Sequence, residues 1–197
     1  MSHRSLARAR RPSRRSRSAS SVSRYAWSAG LETPSSARCS SHLLELGELY
    51  QANGRPALAA DQYRILAATV RLLRDSGVST DLEIARYLAD HGSARAAVGA
   101  ARSAWRQAPS IWSADALGWA LHAAGHDRQA LARSRTATRL GTPDAILWLH
   151  RGSIEAALGR DVAAMAHLRA GLDHDPGLNA WQAARARALL GQLAGSR

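Results

Sequence analysis

The chain has 197 residues, 46% of them hydrophobic and 21% charged, enough material for one substantial domain with a buried core. Its one cysteine, Cys39, excludes an intramolecular disulfide, and no stretch approaches the roughly 18 consecutive apolar residues of a membrane span, so a soluble, cytoplasmic chain is expected. The formal charge of +12 is lopsided: residues 1–42 hold nine arginines against Glu32 alone, whereas residues 43–197 hold eighteen arginines against fourteen acids. Every cation among Lys and Arg is Arg, a pattern that a GC-rich coding sequence imposes, so part of the basicity can reflect genome composition.

Residues 1–42 carry thirteen serines and no apolar run at helical or strand spacing, which predicts a disordered Arg/Ser-rich tail. Its acid-poor composition resembles an organelle transit peptide, and its paired arginines a twin-arginine export signal, but no hydrophobic segment follows. From Leu43 the texture turns to periodic helix, with Leu43, Leu44, Leu46, Leu49 and Tyr50 leading to a stop at Asn53-Gly54. Pro56 opens a second helix running to about Asp75, because a first-turn position has no N–H to lose. Ser79 or Thr80 caps the third helix, which ends at His91-Gly92, and Ser93 caps the fourth, which runs toward Pro109. Ser110 or Ser113 begins the fifth, closed by Gly125, and Asp127 caps the sixth, closed at Leu140-Gly141. Thr142-Pro143-Asp144 restarts the chain as cap, first-turn proline and dipole-facing acid, giving helices over 144–158 and 161–173, then a final one from about Leu178 to Ala194.

Gly54, Gly92, Gly125 and Gly159 each separate two helical stretches, and the last two intervals are 33 and 34 residues. That period predicts a helical solenoid over 43–197, in which stacked helix pairs share one core. In a 34-residue frame, residues 145–178 place Trp148, Gly152, Gly159, Ala164, Leu168, Gly171 and Pro176, and residues 111–144 place Leu117, Gly118, Leu121, Gly125, Ala130 and Ala137. Residues 78–110 match through Ile84, Ala85, Leu88, Gly92, Ala97, Ala104 and Pro109, and residues 40–76 through Leu46, Gly47, Tyr50, Gly54, Ala59 and Tyr63. On these residues the chain resembles the tetratricopeptide-repeat (TPR) family. The resemblance implies an all-α, right-handed α-α superhelix of about four repeats plus a C-terminal capping helix.

The frame has departures. Ser134 stands at a large-residue position, Arg151 at a usual Leu, and Gly54 to Gly92 spans 38 residues, about one extra turn in the second helix. The stretch from Leu43 onward also resembles the C-terminal part of longer bacterial TPR proteins, where a segment like Ser79-Thr80-Asp81-Leu82-Glu83 precedes the last repeats. On that reading the tail replaces upstream repeats, through a wrong start or a frame change. The apolar first helix is then left without its neighbour, which makes self-association through the N-terminal end an expectation.

No phosphate loop, nucleophile elbow or paired catalytic carboxylates occur, so no catalytic, cofactor or metal site is expected. His122 and His126 are four apart, but Gly125 ends the helix between them and only Asp127 lies near. Over Trp112–Ala124, Leu117 and Leu121 form a core stripe, while Trp112, Asp115, Trp119 and His122 share the opposite side at about 100° per residue. In the family that face lines a concave groove holding peptides, and the matching positions elsewhere are Glu48, Gln51, Arg86, Asp90, Ser153 and Arg187. Trp112 and Trp119 are then either binding anchors or packing that stiffens the superhelix. Trp105, Trp148, Tyr50, Tyr63 and Tyr87 are assigned to packing. The expected function is a protein-interaction scaffold, and the alternative is nucleic-acid association through the arginine tail, which would show steep salt dependence.

Overall fold

The computed structural model describes residues 35–175 and 179–195, and these form nine α-helices and no strand. In chain order they are α1 (Ser35–Ala52), α2 (Pro56–Asp75), α3 (Asp81–His91), α4 (Ala94–Gln107), α5 (Ile111–Ala123), α6 (Asp127–Thr138), α7 (Ala145–Ala157), α8 (Asp161–His174) and α9 (Ala180–Gly195). Most of the expected tail lies outside the described residues. Its last eight residues, 35–42, belong to α1, which therefore starts earlier than the periodicity suggested; Ser40 is fully buried there, giving the helix a tertiary reason to extend.

The turns follow local chemistry. Gly54, Gly125 and Gly159 sit at φ of 67° to 77°, the left-handed region where glycine closes a helix without a Cβ clash. Ser110 and Ser113 both serve at the start of α5 as a reciprocal capping box, and the Ser93 hydroxyl accepts from Ala96 N–H at 3.3 Å. Two expected caps are corrected. Asp144 itself caps α7, accepting from Ile146 N–H at 3.0 Å, so Thr142 is not the cap. His126 precedes α6 as its N-cap, and Asp127 lies inside the first turn with its carboxylate taken by His122.

Consecutive helices pair as α1/α2, α3/α4, α5/α6 and α7/α8, and the pairs stack through α4 on α5 and α6 on α7. The first helices also meet one another, α3 against α5 and α5 against α7. One continuous cluster built on Ala85, Ala97, Ala101, Leu117, Leu121, Ala130 and Ile154 runs from α3 to α7. Small residues permit the approach: a Cβ on Gly118 would lie 3.2 Å from the Ala130 carbonyl oxygen, and one on Gly152 3.0 Å from that of Ala164. The first pair stacks differently. α2 has 20 residues against 14 in α4, which locates the extra turn, and it meets α3 through the side chains of Leu66 and Val70 on Ile84.

The last helix has two sets of neighbours. Ala186, Leu189, Leu190 and Leu193 join Leu149, Met165 and Leu168 of α7 and α8, so this half of α9 covers the end of the stack. α9 also reaches α1.

Candidate functional site

The first-helix face is assembled from α1, α3, α5 and α7, and α9 touches all four. At α1, Asn179 Nδ2 donates to Glu48 Oε2 at 2.7 Å, while Glu48 Oε1 lies 3.3 Å from His91 Nε2. The Trp181 ring packs on His91 at 4.8 Å, and His91 in turn stacks on Tyr63 at 4.6 Å. Arg185 Nη1 donates to Asp90 Oδ1 at 2.7 Å, and its guanidinium lies 4.6 Å from the Trp181 ring centre and 5.6 Å from that of Trp119. Trp181 and Arg185 are four residues apart and so share one side of α9. Spacing of this kind lets one helix present an aromatic ring and a cation together.

Behind this contact lies a buried polar layer. His150 Nδ1 is 3.0 Å from both carboxylate oxygens of Asp115, and Arg86 Nη2 approaches the same carboxylate at 3.6 Å. The His150 ring stacks on Trp119 at 4.0 Å and 8°, and Trp119 meets His122 at 5.0 Å. With Nδ1–H donated to Asp115, a neutral His150 keeps its lone pair on Nε2. Among the described residues that Nε2, the Trp119 Nε1–H and the Arg86 Nε–H are buried without a partner. Buried polar groups without partners are uncommon in folded chains, and here three fall in one cluster.

Burial and neighbouring charges shift the titration of the groups around the layer. Burial raises the Glu48 carboxyl above the ordinary glutamate range, against the pull of the His91 hydrogen bond. Asp144 is likewise raised by burial, with Arg86 opposing. For Arg86, burial disfavours the cation, yet Asp115, Asp144 and Glu83 outweigh it and hold the guanidinium above its usual value. Arg86 is thus a fixed cation in an acid-rich surround.

The structure brings Glu48, Arg86, Asp90, Asp115 and Trp119 together. Trp119 is 4% exposed and Asp115 1%, so both lie beneath α9 and α7. Gln51 is exposed and accepts from Tyr63 Oη at 3.0 Å. His122 Nδ1 pairs with Asp127 at 2.5 Å, and the Ser153 hydroxyl turns back to the Leu149 carbonyl at 2.9 Å. Trp112 parts from Trp119, packing on the cluster of Ala114, Ala137 and Leu147. Arg187 is exposed, and its neighbour Arg185 makes the contact with Asp90.

Sequence reasoning passed over His91, His150, Asn179, Trp181 and Arg185. One signal was present for His150: with Leu147 and Ile154 it follows an i, i+3, i+7 spacing, and all three are buried. An ionisable ring on an apolar stripe demands a partner.

No protein-family model matches the chain, and no curated protein matches it. Among solved structures it is similar to the crystal structure of a thermophilic TPR protein from Thermus thermophilus, with a TM-score of 0.56 and 22% identity, over 80% of this chain and 82% of that one. The fold is therefore of the tetratricopeptide-repeat kind.

Proposed function

We propose that the chain is a non-catalytic scaffold that holds a segment of a protein partner along its first-helix face, in the position α9 occupies. The observation that supports this reading is that the face already takes a helix: α9 lies on it through Arg185–Asp90 and the Trp181–His91 ring contact, and Asn179, just ahead of α9, bonds Glu48. Binding by aromatic anchors among polar partners is the chemistry of interaction hot spots. The alternative, nucleic-acid association through the arginine tail, rests on residues outside the described ones apart from Arg38.

The test uses a fluorescein-labelled synthetic peptide of residues 179–195. In the native chain α9 competes for the face, so the peptide binds weakly. Substituting Trp181→Ala and Arg185→Ala together loosens the resident helix and raises the competent fraction, so the peptide should bind that variant at least about tenfold more tightly. Adding Asp90→Ala should reverse the gain. Equal binding to the native chain and the double variant would remove the face from consideration.

A further inference from the structure

A second concave feature lies on the other side of the stack, away from α9. Between α4 and α6 there is a cleft of about 430 Å³ lined by Arg102, Trp105, Arg106, Gln129, Arg133 and Thr136. Leu117 and Leu121 of α5 form its floor. No acid lines it. Among the described residues none of Arg102, Arg106 and Arg133 makes an ion pair, so three positive charges stand uncompensated in one hollow. The volume falls in the range of specific ligand pockets, roughly 300–1,000 Å³.

We infer that this cleft is a second binding site, which takes an acidic peptide segment carrying an apolar side chain. Three features select that chemistry. Guanidinium forks match carboxylates in paired hydrogen bonds, and Arg102 and Arg106, four residues apart on α4, lie on one side of the helix. The apolar floor of Leu117 and Leu121 rewards an uncharged side chain between the acids. Trp105 does not offer a base-stacking platform, because the Arg133 guanidinium covers its ring at 5.0 Å from the centroid. That cation–π contact also holds Arg133 in place before a ligand arrives, which lowers the ordering cost of binding.

The experiment measures fluorescence anisotropy of a labelled peptide of about ten residues alternating Glu and Leu, the length that lets several carboxylates reach the arginines. The native full-length chain should bind it, and the matching Gln–Leu peptide should not bind. Arg102→Gln with Arg106→Gln should weaken binding at least about tenfold, as expected for the loss of charge-assisted hydrogen bonds. Both residues are exposed, so the fold is retained, checked by far-UV circular dichroism. Arg95→Gln with Arg128→Gln makes the same change of charge on α4 and α6, the two helices that flank the cleft, but outside it, and should cost no more than about twofold through general attraction. Equal losses in the two double variants, or no binding by the native chain, would overturn the site. So would a thymidine oligonucleotide of equal charge that binds more tightly than the peptide and loses affinity in the Arg102/Arg106 variant.

Discussion

A close helix approach within the last repeat carries a measurable penalty for a single methyl group. Gly152 of α7 faces α8 so tightly that a Cβ would sit 2.6 Å from Leu168 Cγ and 3.0 Å from the Ala164 carbonyl oxygen. Ordinary carbon contacts are about 3.5–4.0 Å, so the shortfall is about 1 Å. Leu168 is fully buried and meets the methyl with its branch carbon, leaving no flexible end to swing aside. Overpacking of this kind costs about 2–3 kcal/mol, in the upper part of the usual range. Gly152→Ala recovers about 1 kcal/mol of helix propensity, so the net loss is about 1–2 kcal/mol. For a chain of this length that lowers the melting temperature by about 2–8 °C.

Gly99 provides the internal control. It is exposed within α4, and a Cβ there meets nothing within 4 Å, so Gly99→Ala should gain about 1 kcal/mol and melt about 2–4 °C higher. Thermal melts followed by far-UV circular dichroism compare the two. If Gly152→Ala melts as high as Gly99→Ala, α7 and α8 do not approach this closely and the packing argument fails.

Two further substitutions test the first-helix face. Glu48→Gln replaces a carboxyl that burial raises; such a group gives stability that is fully present below its unfolded pKa and lost as pH rises through its folded one. The variant should therefore melt above the native chain at neutral pH, with the gap closing as pH falls toward the ordinary glutamate range, and a gap independent of pH would contradict the assignment. Trp119→Ala removes a 4% exposed ring stacked on His150 and should cost about 3–5 kcal/mol in urea unfolding, so it disables the fold before it reports on binding. A loss below about 1 kcal/mol would return Trp119 to the surface.

The repeat was legible because it is local. Cap residues, the φ of Gly54, Gly125 and Gly159, and the small residues Gly118 and Gly152 all act within one helix pair, which a 34-residue period samples directly. The extra turn of α2 could be counted for the same reason. The final helix itself was read, but not where its first turns dock. Asn179 and Glu48 are 131 residues apart, and Arg185 and Asp90 are 95 apart, so no periodic frame connects them. Helical-wheel arithmetic failed differently at α5: it separates an apolar side from a polar side, yet every residue from Ser113 to Leu121 is buried. With neighbours on all sides, the polar stripe of Asp115 and Trp119 is enclosed, and its partners come from α3 and α7.

Charge also divides between the two sides in a way that composition does not explain. A coding bias of the kind that favours arginine over lysine would act without regard to which helix a codon falls in. α4 and α6 together carry six arginines, Arg95, Arg102, Arg106, Arg128, Arg133 and Arg135, against Asp127 alone. In α1, α3 and α5 the balance reverses, with Glu45, Glu48, Asp81, Glu83, Asp90 and Asp115 against Arg38 and Arg86. Opposite fields on opposite sides favour different visitors: the cation of α9 seats on the acidic first-helix face through Arg185, whereas the cleft of the second helices favours carboxylates. A single ligand chemistry cannot satisfy both. Raising salt should therefore loosen α9 and the acidic peptide alike, while Asp90→Ala should release only the first and Arg102→Gln only the second.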